Sequence, residues 1–353
     1  MVVVERIRVA VLYGGRSNEH AISVVSAGSV LAALNPAKYD VVTIGITPSG
    51  AWVPTSVDPA QLRIANRQLP SVAEPGGTSI TAFGSGPGSA LERLAEADVV
   101  FPVLHGANGE DGTIQGMLEL AGIPYVGSGV LASAAAMDKA FAKTVLSAAG
   151  LAVTPYQVVR RGRSVRTMDV QQLGLPLFVK PARTGSSVGI SRVRNYDELA
   201  DALELAFGYD DKVLIEAGQA GRELECGVLE DADGTVSASL PAQIRLRAGF
   251  DWYSFEAKYL EESCEFDIPA PIGEAGVKQV QDVACQAFEL LECSGLARVD
   301  GFWTPDGQFV LNEVNTMPGF TPISMYPKMW AETGVSYSEL LDRLIATALR
   351  RAR

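Results

Sequence analysis

Histidine and cysteine are scarce in this chain, with two and four residues among 353. With only His20 and His105 available, a histidine-rich metal centre is excluded. Cys226, Cys264, Cys285 and Cys293 have no CxxC spacing, which removes a zinc ribbon or a redox pair and leaves reduced, packed thiols of a cytoplasmic protein as the expectation. No apolar run reaches the ~18 residues of a membrane span. The opening MVVVERIRVAVLYGG carries Glu5, Arg6 and Arg8 inside its apolar stretch, so it reads as a strand and not as a signal peptide. Positive charge is in deficit too, and a net charge of −12 argues against nucleic-acid or anionic-membrane partners. The first strand-to-helix turn lacks GxGxxG, which removes a dinucleotide-dependent dehydrogenase.

What remains is ordinary globular material, 47% hydrophobic and 20% charged, long enough for two or three α/β domains. Residues 6–13 read as a strand running into Gly14-Gly15-Arg16-Ser17-Asn18-Glu19-His20, and an apolar-periodic helix follows until Asn35-Pro36. Glu19 would repel a phosphate and suits an ammonium group; the competing reading is a favourable first-turn charge. Residues 39–47 form a second strand, 54–90 an irregular excursion, and 98–104 a continuous apolar strand of the buried parallel kind. That strand ends in His105-Gly106-Ala107-Asn108-Gly109-Glu110-Asp111-Gly112 before another helix. His105 fits a structural role and a ligand contact equally well. The alternation implies a doubly wound parallel sheet over residues 1–126.

Residues 131–149 read as one Ala-rich helix containing Lys139. A strand at 177–179 leads to Lys180 and the hairpin flap Gly185-Ser186-Ser187-Val188-Gly189, whose N–H and hydroxyl groups can approach a triphosphate. A strand at 212–215 opens the connector that holds Glu216, Gln219 and Glu223. It suits either an adenine edge and ribose hydroxyls or a solvated interdomain turn. Residues 246–259, rich in aromatics, read as a mobile lid or as a surface strand. An amphipathic helix follows, capped by Gly295, and residues 337–352 read as a terminal surface helix.

The segment 297–321, ARVDGFWTPDGQFVLNEVNTMPGFT, predicts two strands around the turn Pro305-Asp306-Gly307. Alternation puts Arg298 and Asp300 on one face, with Glu313 and Asn315 opposite, residue 300 pairing with 311 and 298 with 313. Two carboxylates, an amide and a guanidinium among apolar neighbours call for a divalent cation carrying phosphate oxygens. The bland possibility is a surface hairpin whose charges face water.

GGRSNEHAIS, LHGANGEDGTIQG, FVKPARTGSSVGISRV, EAKYL and NEVNTMPGFTPIS, in this order, resemble the D-alanine–D-alanine ligases of the ATP-grasp superfamily over residues 6–345. The resemblance implies an α/β ATP-grasp fold of three domains: 1–126 for the first substrate, 127–219 with the flap, and 220–353 with the metal hairpin and lid. It implies ligation of two D-alanines through an acyl phosphate, for peptidoglycan synthesis, by a cytoplasmic homodimer. Glu19 and His105 would face the first substrate, and Arg298 with the Gly319 N–H would stabilise the oxyanion. Asp300, Glu313 and Asn315 would hold two Mg²⁺ (or Mn²⁺). Lys139, Lys180, Ser186, Ser187 and Lys258 would line the ATP phosphates, with Glu216, Gln219 and Glu223 at adenine and ribose. Ser324 and Met325 would receive the second substrate's carboxylate, and Tyr259 would close the lid over Ser186 and Glu19. Relatives that make D-alanyl-D-lactate carry a lid histidine, which residues 245–262 lack. Synthesis of D-alanyl-D-serine and a non-catalytic nucleotide-binding module both compete with the dipeptide-forming reading.

Overall fold

The computed structural model describes residues 6–64, 69–74, 89–163, 167–246 and 264–351. Its first unit contains β1 (Ile7–Gly14), α1 (His20–Ala33), β2 (Tyr39–Ile46), β3 (Trp52–Thr55), α2 (Ala90–Ala95), β4 (Val99–Val103) and α3 (Thr113–Leu120). The sheet order is β3-β2-β1-β4, parallel except for β3. That edge strand departs from the expected all-parallel sheet. The short link after β2, closed by Gly50 N–H on the Thr47 carbonyl, allows a hairpin but not the crossover a parallel neighbour needs. Val9 to Leu12 of the central strand are buried without interruption, as a strand covered on both faces requires.

The second unit comprises α4 (Val130–Met137), α5 (Lys139–Ala148), β5 (Tyr156–Arg160), α6 (Thr167–Gln171), β6 (Leu177–Pro181), β7 (Ser191–Val193), α7 (Leu199–Phe207) and β8 (Lys212–Ala217). Its antiparallel sheet has the order β5-β8-β6-β7. The single helix predicted over 131–149 is in fact two. Asp138 leaves the helical region at ψ 94°, and its carboxylate caps α5 by accepting the Phe141 N–H. The same carboxylate lies 2.6 Å from Lys212. The break turns Lys139 into the first residue of α5, where its N–H reaches the Ala182 carbonyl.

The third unit comprises β9 (Arg222–Glu230), β10 (Val236–Ala238), β11 (Ala242–Leu246), β12 (Cys264–Asp267), α8 (Gly273–Leu290), β13 (Leu296–Trp303), β14 (Phe309–Asn315), α9 (Met325–Glu332) and α10 (Tyr337–Arg351). Its main path is β12-β11-β9-β13-β14, with β10 added to β9. Helix α8 lays Val280, Ala284, Ala287 and Phe288 on Leu224, Cys226, Val228 and Val299, closing one face. It ends before the predicted cap Gly295, because Glu292 already takes a left-handed φ of 56°. Helix α10 is not the surface element predicted. Leu340, Leu341, Leu344 and Ile345 are buried with Val9, Val11 and Phe101 of the first sheet and with Leu229 and Leu296 of the third.

Two further ties position the site. Val153 bridges Leu311 on the outer edge of β14: the Leu311 N–H reaches the Ala152 carbonyl at 2.8 Å and the Thr154 N–H reaches the Leu311 carbonyl at 3.1 Å, so the segment leading into β5 is joined to the third sheet there. The connector 218–221 is pinned where the Gly218 N–H meets the Pro176 carbonyl at 2.8 Å.

Candidate active site

The β13–β14 hairpin brings the four expected polar groups to one face by a different register. Arg298 lies opposite Asn315 and Asp300 opposite Glu313, in place of the predicted 298–313 and 300–311 pairs. The pairing shifts between Asp300 and Gly301, leaving Asn312 as the extra residue of a bulge. Gly301 explains the shift. A Cβ there would meet the Val310 carbonyl at 2.6 Å and the Phe309 ring at 2.7 Å, so the backbones approach to a distance only glycine allows.

Two buried ion clusters result. In the first, Arg298 grips Asp300 with two parallel bonds of 2.8 and 2.7 Å, and its Nε lies 3.2 Å from Glu225 Oε2. Asn315 donates to Asp300 at 2.9 Å. Beside it, Lys139 Nζ lies 3.3 Å from Glu313 and donates to the Thr184 carbonyl at 2.7 Å. In the second cluster, Glu216 meets Lys180 at 2.6 Å and Lys143 at 3.3 Å, while Lys143 also donates to Thr154. Burial pushes the Glu216 pKa up, but Lys143 and Lys180 outweigh it and hold the carboxyl below its ordinary range. Burial dominates at Lys143 and lowers its pKa; at Lys180 the Glu216 charge overcomes burial and raises it.

Between the clusters lies a cavity of about 250 Å³. Lys139, Lys180, Glu223, Asp300 and Glu313 give it charge, and Phe178, Ile190 and Phe302 give it an apolar wall. Gln219 and Glu216 stand at the connector end and Ser186 and Ser187 at the flap end. The flap serines take left-handed φ values of 49° and 60°, a conformation that costs about 1 kcal/mol or more per residue and persists only where the surroundings impose it. One such restraint is visible: the Ser186 hydroxyl donates to Glu19 Oε1. Glu19 itself is held between two loops, since a Cβ on either Gly106 or Gly185 would come within 2.7 Å of its Oε2.

His105 has both ring nitrogens engaged inside the protein, Nδ1 with the Met317 carbonyl at 3.0 Å and Nε2 with Ser26 at 3.1 Å. Burial lowers its pKa, so the ring is neutral, and it braces the loop that carries Gly319. Phe320 fixes the far side of that loop: its N–H reaches Ser26, its carbonyl accepts from Tyr337, and its ring meets Phe101 edge-on at 5.8 Å. Gly319 abuts Ser324, whose Oγ would sit 2.6 Å from a Cβ there. Ser324 is the N-cap of α9 and makes no side-chain cap bond, so the helix start keeps N–H groups for an anion. Met325 follows it, buried. Tyr259 and Lys258 lie outside the described residues.

The site also contains residues that the motifs did not single out. Asn312 accepts from Lys180 at 3.1 Å, a consequence of the bulge. Glu225 follows Glu223 on the same face of β9, and the alternation E-L-E was the available signal. Lys143 follows Lys139 by one helical turn. Glu110 accepts the Gly106 N–H at 2.8 Å; burial and the neighbouring Glu19 charge push its carboxyl up to about 8.

Among the described residues no three His, Cys, Asp or Glu side chains form a cluster able to hold a metal alone. Asp300, Glu313 and Asn315 offer two carboxylates and an amide oxygen instead. That all-oxygen set fits Mg²⁺ or Mn²⁺, which takes one or two carboxylates and completes its shell with phosphate oxygens and water.

Residues 8–128 match the family described as "D-ala D-ala ligase N-terminus", and 145–346 match "D-ala D-ala ligase C-terminus". The chain is 54% identical over 363 residues to a D-alanine–D-alanine ligase of Mycobacterium avium (strain 104), covering 98% of each chain. Its fold resembles the D-alanine–D-alanine ligase of Coxiella burnetii, with a TM-score of 0.81, 36% identity, and coverage of 99% of this chain and 95% of that one. It also resembles the VanG D-Ala:D-Ser ligase of Enterococcus faecalis, with a TM-score of 0.80, 37% identity, and coverage of 98% and 100%.

Proposed function

The chain belongs to the D-alanine–D-alanine ligase family, and from that premise we propose that it joins two D-alanines with ATP through an acyl phosphate in the cavity between the second and third sheets. The observation that carries this reading is the meeting of Asp300 and Glu313 with Lys139 and Lys180 on one cavity, with Arg298 and Asn315 bonded to Asp300 and Glu19 tied to the flap.

ATP would lie with its base against Phe178, Ile190 and Phe302, its sugar near Glu223 and its base edge near Glu216 and Gln219. Lys139, Lys180, Ser186, Ser187 and Lys258 would line the phosphates. Asp300, Glu313 and Asn315 would hold two Mg²⁺ (or Mn²⁺), which supply neutralisation of phosphate charge. Glu19 would hold the ammonium of the first D-alanine so that its carboxylate attacks the γ-phosphate, giving acyl phosphate and ADP. Arg298 and the Gly319 N–H would stabilise the oxyanion when the second amine attacks that carbonyl, and phosphate would then leave. Ser324 and Met325, at the start of α9, would hold the second carboxylate. Tyr259, with Ser186 and Glu19, would orient the amine as it loses its proton. His105 would act by bracing the Gly319 loop. Most of the work is positioning and charge neutralisation, without a protein nucleophile.

We propose the three-domain division at 126 and 219, a cytoplasmic homodimer, and a role in supplying peptidoglycan precursor. Among the described residues no helix is long and apolar enough to cross a membrane. A second reading, D-serine as the second substrate, is favoured by the likeness to the VanG enzyme. Phosphate release with ATP, Mg²⁺, D-alanine and then D-serine or D-lactate, with product masses, tests both. The dipeptide of D-alanine is expected as the main product; preferential D-alanyl-D-serine would favour the second reading, and no phosphate release with any pair would contradict both.

A further inference from the structure

Glu225 has no part in the mechanism above, yet it is 3% exposed and lies directly opposite Asp300 in the β9–β13 register. Two carboxylates facing each other on neighbouring strands repel. Here the Arg298 guanidinium lies between them. Arg298 Nε is 2.8 Å from Asp300 Oδ1 and 3.2 Å from Glu225 Oε2, while its NH2 group goes to Asp300 Oδ2 at 2.7 Å. The residue facing Arg298 on β9 is Gly227, where a Cβ would press on Trp330 and Tyr326 at 3.0 and 3.1 Å. No side chain from that position can share the guanidinium, which leaves Glu225 as the carboxylate that reaches it from β9.

We propose that Glu225 is a positioning residue for Arg298, holding the guanidinium in place when Asp300 gives its oxygens to a divalent cation. This rests on the reading of Asp300 as a metal ligand and of Arg298 as the oxyanion donor. Asp300 alone cannot serve both duties at full strength, because charge shared with a cation is withdrawn from the arginine. A second carboxylate, fixed one strand away and ion-paired with the same Nε at 3.2 Å, keeps the donor aimed without occupying the metal's position. Its contact with the guanidinium makes it a residue that acts through another.

The test separates this proposal from the reading beneath it. ADP is titrated into wild type, Asp300→Asn and Glu225→Gln at increasing Mg²⁺, and binding is followed by calorimetry. Asp300→Asn is expected to lose the Mg²⁺ dependence of ADP binding; if it keeps that dependence, the metal reading itself fails. Glu225→Gln is expected to keep it. A loss equal to that of Asp300→Asn would make Glu225 a ligand and overturn the proposal. In turnover, Glu225→Gln is expected to lower kcat/KM for D-alanine about ten- to a hundredfold. In an Arg298→Ala background the same change is expected to add less than about twofold, because coupled residues are not additive. An undiminished effect in that background, or wild-type turnover by Glu225→Gln, would overturn the proposal. Glu225→Asp keeps the charge but withdraws it; with native circular dichroism it is expected to lose part of the same rate, and full activity in it would also count against the role.

Discussion

The two buried ion clusters beside the cavity are built in opposite ways. On the third sheet, Asp300 and Glu225 share one guanidinium; on the second unit, Lys143 and Lys180 share one carboxylate. A buried charge is costly unless it is paired. On the proposed reading, a divalent cation would lie at the acidic cluster and phosphates at the basic one. The clusters also differ in their support. The acidic one stands on adjacent strands of a single sheet, whereas the basic one gathers α5, β6 and β8 around Glu216. On that reading, ligand charge would bear on the junction of two units as well as on the chemistry.

Removing the shared carboxylate should break the basic cluster most severely. Glu216→Gln leaves two lysines unbalanced, and a loss of about 3–5 kcal/mol in unfolding free energy is expected by denaturant titration. Lys143→Met is a milder cut, since Lys180 still pairs with Glu216. About 1–3 kcal/mol is expected for the hydrogen bond to Thr154 and the lost ion pair. Near-neutral results for both would mean that the cluster adds nothing to the fold.

A separate effect belongs to Glu110, outside both clusters. Its folded-state pKa near 8 lies above the ordinary carboxyl value of about 4.3, so the native protein retains a proton that the unfolded chain releases. Stability should then fall as pH rises from about 4.5 through about 8. Glu110→Gln is expected to flatten that fall in melting temperature; an unchanged slope would remove Glu110 as its source.

Much of this arrangement was legible in the sequence because it rests on local rules. The turn at Pro305-Asp306-Gly307 and period-two alternation bring Arg298, Asp300, Glu313 and Asn315 to one face. The βαβ pattern gives the first sheet. The illegible parts depend on distant contacts. The bulge follows from the Phe309 ring and the Val310 backbone pressing on Gly301. The break at Asp138 hides inside an alanine-rich helix because its cap is reinforced by Lys212, far along the chain. Helix α10 reads as a surface element until the first sheet is known to cover it. Glu225 was within reach of the alternation rule applied one residue pair further.

Phosphate release by Glu313→Gln, with ATP, Mg²⁺ and D-alanine, tests the central claim most directly. The amide keeps the shape of the side chain that faces Asp300 and Lys139 but removes its charge. Turnover is expected to fall by at least about a hundredfold, with native circular dichroism retained. Phosphate release at the wild-type rate would contradict the assignment of this hairpin as the centre that holds nucleotide-bound metal.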